Sequence, residues 1–172
     1  MFSSNLKDNN MNSGGANNWL LYTLGLFFLT TGASLWETAI FTPAWSKSPP
    51  VSMQILDTMD PKIFWGIVHS LFEMCFIITL VVNWKIKERK FRLLGIFMGY
   101  AVLRIWTLSY FAPTYMHFEA VAHHPVTDDH LSAHAILWKH LNYIRTCLLI
   151  IVNILLLLFV QKIMSKETEI SA

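Results

Sequence analysis

The sequence predicts an all-α fold: an integral membrane four-helix bundle with both termini cytoplasmic. Three observations predict it. The chain is too apolar for a soluble domain, since 54% of its 172 residues are hydrophobic and 14% charged, at a mean hydropathy of +0.44, where soluble domains carry roughly 25% charged residues. Four apolar runs are each long enough to cross ~30 Å of hydrocarbon at ~1.5 Å per residue. Basic residues gather in one short connection, NWKIKERKFR (83–92), which the positive-inside rule places in the cytoplasm.

Residues 1–18, MFSSNLKDNNMNSGGANN, are rich in Asn, Ser and Gly. They offer too little apolar surface to order themselves, so a disordered tail is expected. The transmembrane domain is read as 19–163. Its first helix is WLLYTLGLFFLTTGASLWETAIF (19–41). Gly32-Ala33-Ser34 would suit a signal-peptide cut, but the preceding tail lacks a basic n-region. Helix two, IFWGIVHSLFEMCFIITLVVNW (63–84), is entered through Asp60-Pro61, where the missing proline N–H costs nothing. Helix three, FRLLGIFMGYAVLRIWTLSYFA (91–112), is expected to stop at Pro113, and helix four runs from about 132 to 163. Residues 164–172 form a C-terminal tail.

Four spans put both termini in the cytoplasm, in agreement with Lys162 and Lys166 after helix four. The connections 42–62 and 112–133 are then non-cytoplasmic. Trp19, Trp36, Trp45, Trp65, Trp84 and Trp138 fall near predicted helix ends, as an interfacial belt requires. Cys75 and Cys147 sit inside apolar runs and read as packing residues. With the only cluster of basic residues in one short loop and none gathered on a soluble face, nucleic acid is not an expected partner. Expected partners are membrane lipids and a hydrophobic small molecule, with a homo-oligomer left open. No pore-lining repeat or pair of broken helices points to a channel or a transporter.

Ionisable residues within spans carry the chemistry, because each costs at least ~2.5 kcal/mol at mid-bilayer and must face a partner or a cavity. Counting from the non-cytoplasmic helix ends, Glu37, His69, Glu73, Arg104 and Arg145 fall within ~6–16 Å of that surface, in one layer. His69 and Glu73 are four apart and share a helix face. His134, Trp138, Asn142 and Arg145 fall in a stripe of ~80° on helix four, from which His140 points away.

Two acids and two arginines cancel in charge, as a low-dielectric interior demands. One reading is a structural ion-pair network, as in an accessory subunit. The other is a pocket for a flat, mostly apolar ligand, either of a non-catalytic small-molecule or lipid-binding membrane protein or of an enzyme in which His69, Glu73, Arg104 and Arg145 are the candidate catalytic residues. There His69 is the base and an arginine the oxyanion partner. Glu37, Trp106, Tyr110, Tyr115, His134, Trp138 and Asn142 are the candidate binding residues. No metal site is expected: the Glu-x-x-His repeat of a di-iron bundle is absent and two arginines repel a cation. No cofactor is named by the sequence.

The stretch YMHFEAVAHHPVTDDHLSAH (115–134) holds five of the seven histidines. His117, Glu119, His123, His124, His130 and His134 have zinc- or copper-ligand chemistry but match no fixed motif. A polar loop acting as a lid over the pocket mouth is expected, with Asp129 or Ser132 capping helix four.

Three stretches carry a family resemblance: ETAIFTPAW (37–45), TLSYFAPTYMHF (107–118) and WKHLNYIRT (138–146). They resemble, in order, an acidic residue followed by His-Pro-Ala, T-L-x-x-x-x-P-T-N-x-x-L, and W-x-x-L-H-x-x-R-T. These belong to the anthrone-oxygenase-like family of small four-helix membrane proteins. The resemblance implies oxidation of an anthrone-like polycyclic phenol by O₂ to a quinone. Thr42, Tyr115 and Asn142 stand where the family has His, Asn and His. His69 and His134 are therefore the residues left to take over proton transfer.

Overall fold

The computed structural model describes residues 2–59, 61–123 and 130–171, and among these no strand occurs. The chain runs through α1 (Phe2–Trp36), a π-helical turn (Glu37–Phe41) and α2 (Thr42–Trp45). A 3-10 turn (Val51–Gln54) and α3 (Ile55–Thr58) lead to α4 (Lys62–Val82). The rest is α5 (Lys87–Trp106), a second π turn (Thr107–Phe111), α6 (Ala112–His123) and α7 (Leu131–Ser171). Four helical stretches are long and apolar enough to cross a membrane: Gly15–Trp45, Lys62–Val82, Lys87–Ala122 and Leu131–Lys166. Their outer faces carry exposed Phe28, Ile67, Met74, Val102, Ile151 and Leu155, apolar surface of the kind lipid covers.

The 21 residues of α4 rise ~31 Å, one bilayer thickness. The other three stretches, of 31, 36 and 36 residues, are longer than a bilayer needs. The end of the bundle bearing the 83–92 connection is called proximal, the other distal. Leu20, Phe27, Phe72, Phe76, Leu93 and Leu156 fill the proximal core. Trp45, Met53, Leu56, Phe118, Leu131 and Trp138 fill a distal one.

Several elements depart from expectation. The helix begins at Phe2, inside the stretch expected to be a disordered tail. Once a long span is nucleated, adding turns is cheap, and buried Asn17 accepts a hydrogen bond of 2.9 Å from Arg89 Nη1. At the other end α7 continues through the expected C-terminal tail to Ser171.

Helix three does not stop at Pro113. The N–H of Ala112 bonds five residues back, to Thr107 O, and the widened turn leaves Pro113 in the first turn of α6, where it lacks only a donor that has no partner. Helix one does the same, with Thr42 N–H on Glu37 O and Pro43 in the first turn of α2. Both π turns end on a Phe two residues before the proline.

The connection expected as a loop at 42–62 folds onto α6. It carries Trp45 into the distal core at 0% exposure, and Trp138 is buried there too at 2%. These two are therefore core residues and not part of an interfacial belt. Trp45 stacks edge-on against Trp138 with ring centroids 5.2 Å apart. Half of the expected loop at 112–133 is the helix α6. Residues 124–129, and with them His124, Asp129 and the expected lid, lie outside the described residues.

Candidate functional site

Helix α1 packs along both α4 and α7, and α5 along α7. Between α4 and helix three, ring contacts join Phe76 with Phe97 and Phe72 with Tyr100. Distal to them, helix one, α4, helix three and α7 line a cavity of about 260 Å³. Its wall includes Glu37, His69, Tyr100, Arg104, Thr107 and Arg145 among mostly apolar neighbours.

Spacing explains how α4 and helix three meet here. His69 and Glu73 lie one helical turn apart on α4, Tyr100 and Arg104 one turn apart on α5, so each pair presents two polar groups on one face. Arg104 Nε donates to Glu73 Oε1 at 2.8 Å. Tyr100 OH donates to the same oxygen at 2.9 Å, and His69 Nδ1 lies 3.1 Å from the Tyr100 oxygen.

These directions fix the imidazole. Glu73, ion-paired with Arg104, only accepts, so the single phenolic proton of Tyr100 is committed to it. The Tyr100 oxygen then accepts, and the proton it accepts must be on His69 Nδ1. His69 Nε2 is left with its lone pair and has no protein partner among the described residues. Trp65 stacks on the ring at 5.4 Å and holds its plane.

The second half of the site is built on Arg145 of α7. Its Nη1 donates to Thr107 Oγ1 at 3.3 Å and its Nη2 to Glu37 Oε2 at 3.5 Å, while its guanidinium lies 4.6 Å from the Phe111 ring centroid. Arg145 therefore ties together the first residues of both π turns. Around it, buried Asn142 donates to Thr38 Oγ1 at 3.1 Å, and Thr38 and Thr146 share a hydrogen bond of 2.8 Å.

Of the candidate catalytic residues, His69, Arg104 and Arg145 line the cavity, and Glu73 stands behind it as the shared acceptor. Of the candidate binding residues, Glu37, Tyr115 and Trp138 line it. Trp106 and Tyr110 pack on the hydrophobic cores and do not line it. Asn142 is buried against Thr38 and Thr42 behind the wall.

His134 is exposed, because the buried seam of α7 begins with Leu131, Ala135 and Trp138 and leaves it at the edge in the first turn. His140 is exposed too, as its helical angle predicts. His117 is exposed on α6, and Glu119 is engaged by Lys62. Among the described residues no three His, Cys, Asp or Glu side chains come together as a metal site.

Sequence reasoning missed Tyr100. Its place four residues before Arg104 was the available signal. Comparison with known proteins finds no matching family model, no matching curated protein and no matching solved structure.

Proposed function

We propose that this membrane protein binds a flat, mostly apolar aromatic or quinone-type molecule in the cavity and oxidises it with O₂, using His69 as the base. The observation that carries the reading is the His69–Tyr100–Glu73 chain on the cavity wall, which leaves Nε2 free to take a proton from the ligand. Arg104 and Arg145 line the same cavity, and their positive charge would stabilise a ligand oxygen that gathers negative charge as that proton leaves. For an anthrone-like methylene the balance is CH₂ + O₂ → C=O + H₂O. The carbanion gives up its electrons to O₂, one oxygen atom stays as the carbonyl, and the other leaves as water with both hydrogens.

The oxygenase reading draws further support from the three stretches that carry the resemblance. Each contributes to the cavity wall: Glu37 from the first, Thr107, Phe111 and Tyr115 from the second, Trp138 and Arg145 from the third. By the positive-inside rule the 83–92 loop and both termini are cytoplasmic, so the cavity and the histidine-rich 112–133 region belong to the non-cytoplasmic side.

A purely structural role for the polar layer is the competing reading, favoured by the internal pairing of Glu37 with Arg145 and of Glu73 with Arg104. His69→Ala in lipid nanodiscs decides between them, with anthrone as substrate and O₂ uptake as the readout. The oxygenase reading expects uptake by the wild type, lost by ~10²-fold or more in the variant while ligand binding persists. No uptake by the wild type overturns it.

A further inference from the structure

The shape and openings of the cavity say more about the ligand, on the footing of the reading above. At its distal end Lys62, at the start of α4, lines the cavity and its Nζ donates to both carboxylate oxygens of Glu119 on α6, at 2.8 and 2.9 Å, so a charged pair joins α4 to α6 there. The proximal end is closed by Phe72 against Tyr100.

The flank is different. Gly66 of α4, Leu108 of the second π turn and Met116 of α6 line the cavity, and all three are exposed and carry no polar side chain. A methyl group added at Gly66 would meet no atom within 4 Å. Gly66 lies one turn, ~6 Å along the helix, from the first residue of α4. This exposed apolar flank is where the cavity would open sideways toward the hydrocarbon of a bilayer.

Size limits what fits inside. A cavity of ~150 Å³ is filled by a single benzene ring, so 260 Å³ encloses about two fused rings, and anything beyond them, the third ring of an anthrone or a tail, must extend through the gap in that flank. Arg104 uses Nε on Glu73, and its two terminal nitrogens have no protein partner among the described residues, which leaves them for a ligand oxygen. We infer that the ligand is a two-ring aromatic head group bearing a carbonyl or phenolic oxygen and a single long hydrocarbon tail. The head sits between His69 and Arg104, and the tail leaves through the gap at Gly66, Leu108 and Met116 into the lipid.

The test compares two probes, 2-methyl-1,4-naphthoquinone and the same head with a 3-decyl chain. Each is titrated at fixed probe-to-lipid ratio into nanodisc-held protein and read by quenching of tryptophan fluorescence, which Trp65 beside His69 should report. Gly66→Phe fills the gap from α4, and Leu108→Trp fills it from the opposite wall, so the result does not depend on one variant folding. The decyl probe is expected to lose about tenfold or more in affinity in either variant, and the tail-less probe less than about threefold. Equal losses for both probes, no loss for the decyl probe in both variants, or a wild type that binds neither probe would overturn the proposal. Because binding is read and not turnover, a chain that binds the decyl probe through the gap but consumes no O₂ contradicts only the oxygenase reading.

Discussion

Arg104 and Tyr100, one turn apart on α5, converge on a single oxygen of Glu73 at 2.8 and 2.9 Å. That shared acceptor takes the Tyr100 proton, and so leaves His69 protonated on Nδ1 and open on Nε2. If His69 is the base of the proposed oxygenase, removing the phenol disturbs catalysis without disturbing the pocket. Tyr100→Phe is expected to lower O₂-linked turnover by about tenfold or more, with probe affinity changed by less than about twofold. Steady-state rates beside fluorescence titration check it, and a rate equal to wild type would show that the phenol plays no part.

Arg145 and Glu37 have side chains only 13% and 11% exposed. Arg145→Leu strands a carboxylate in a low-dielectric layer, at a cost of about 3 kcal/mol. Glu37→Leu combined with Arg145→Leu removes both charges and should recover most of that loss. Thermal unfolding in nanodiscs, arranged as a double-mutant cycle, reads the coupling. A double variant as unstable as the single one would contradict the pairing.

Trp45 is fully buried between Phe118 and Trp138. Trp45→Ala is expected to destabilise the protein by ~3–5 kcal/mol, the cost of an unfilled aromatic site in a packed core. Trp36→Ala, at a residue 51% exposed, should cost less than about 1 kcal/mol. Similar losses of melting temperature for the two would argue against a packed distal core.

His134 and His140 both face outward from α7. Alanine at either position should leave turnover and probe affinity within about twofold of wild type. A large loss from His134→Ala would return that residue to the site and call the register of α7 into question.

The four spans were legible because lipid imposes one rule along each of them: long apolar runs with few charges. The convergence of His69, Glu73, Arg104 and Arg145 was legible for the same reason, since charged groups within a span need partners. The distal third was not. Proline normally ends a helix, and nothing local announces that a π turn at Thr107–Phe111 will carry helix three past Pro113. Trp45 and Trp138 look like belt residues by position, and burial depends on the 42–59 segment folding back over α6, a tertiary event. Tyr100 carries no charge and disappears into an apolar run, so its role emerges only when α4 supplies Glu73 and His69 across from it.

The protonation pattern of the His69 ring is the decisive quantity. Nitrogen-15 NMR of histidine-labelled protein in nanodiscs, with His69→Ala used to assign the signal, distinguishes the two neutral tautomers. A proton on Nδ1 is expected in the wild type and a mixture of tautomers in Tyr100→Phe. A proton held on Nε2, or a pattern unchanged by removing the Tyr100 hydroxyl, would contradict a base poised by Glu73 and Tyr100 on the cavity wall.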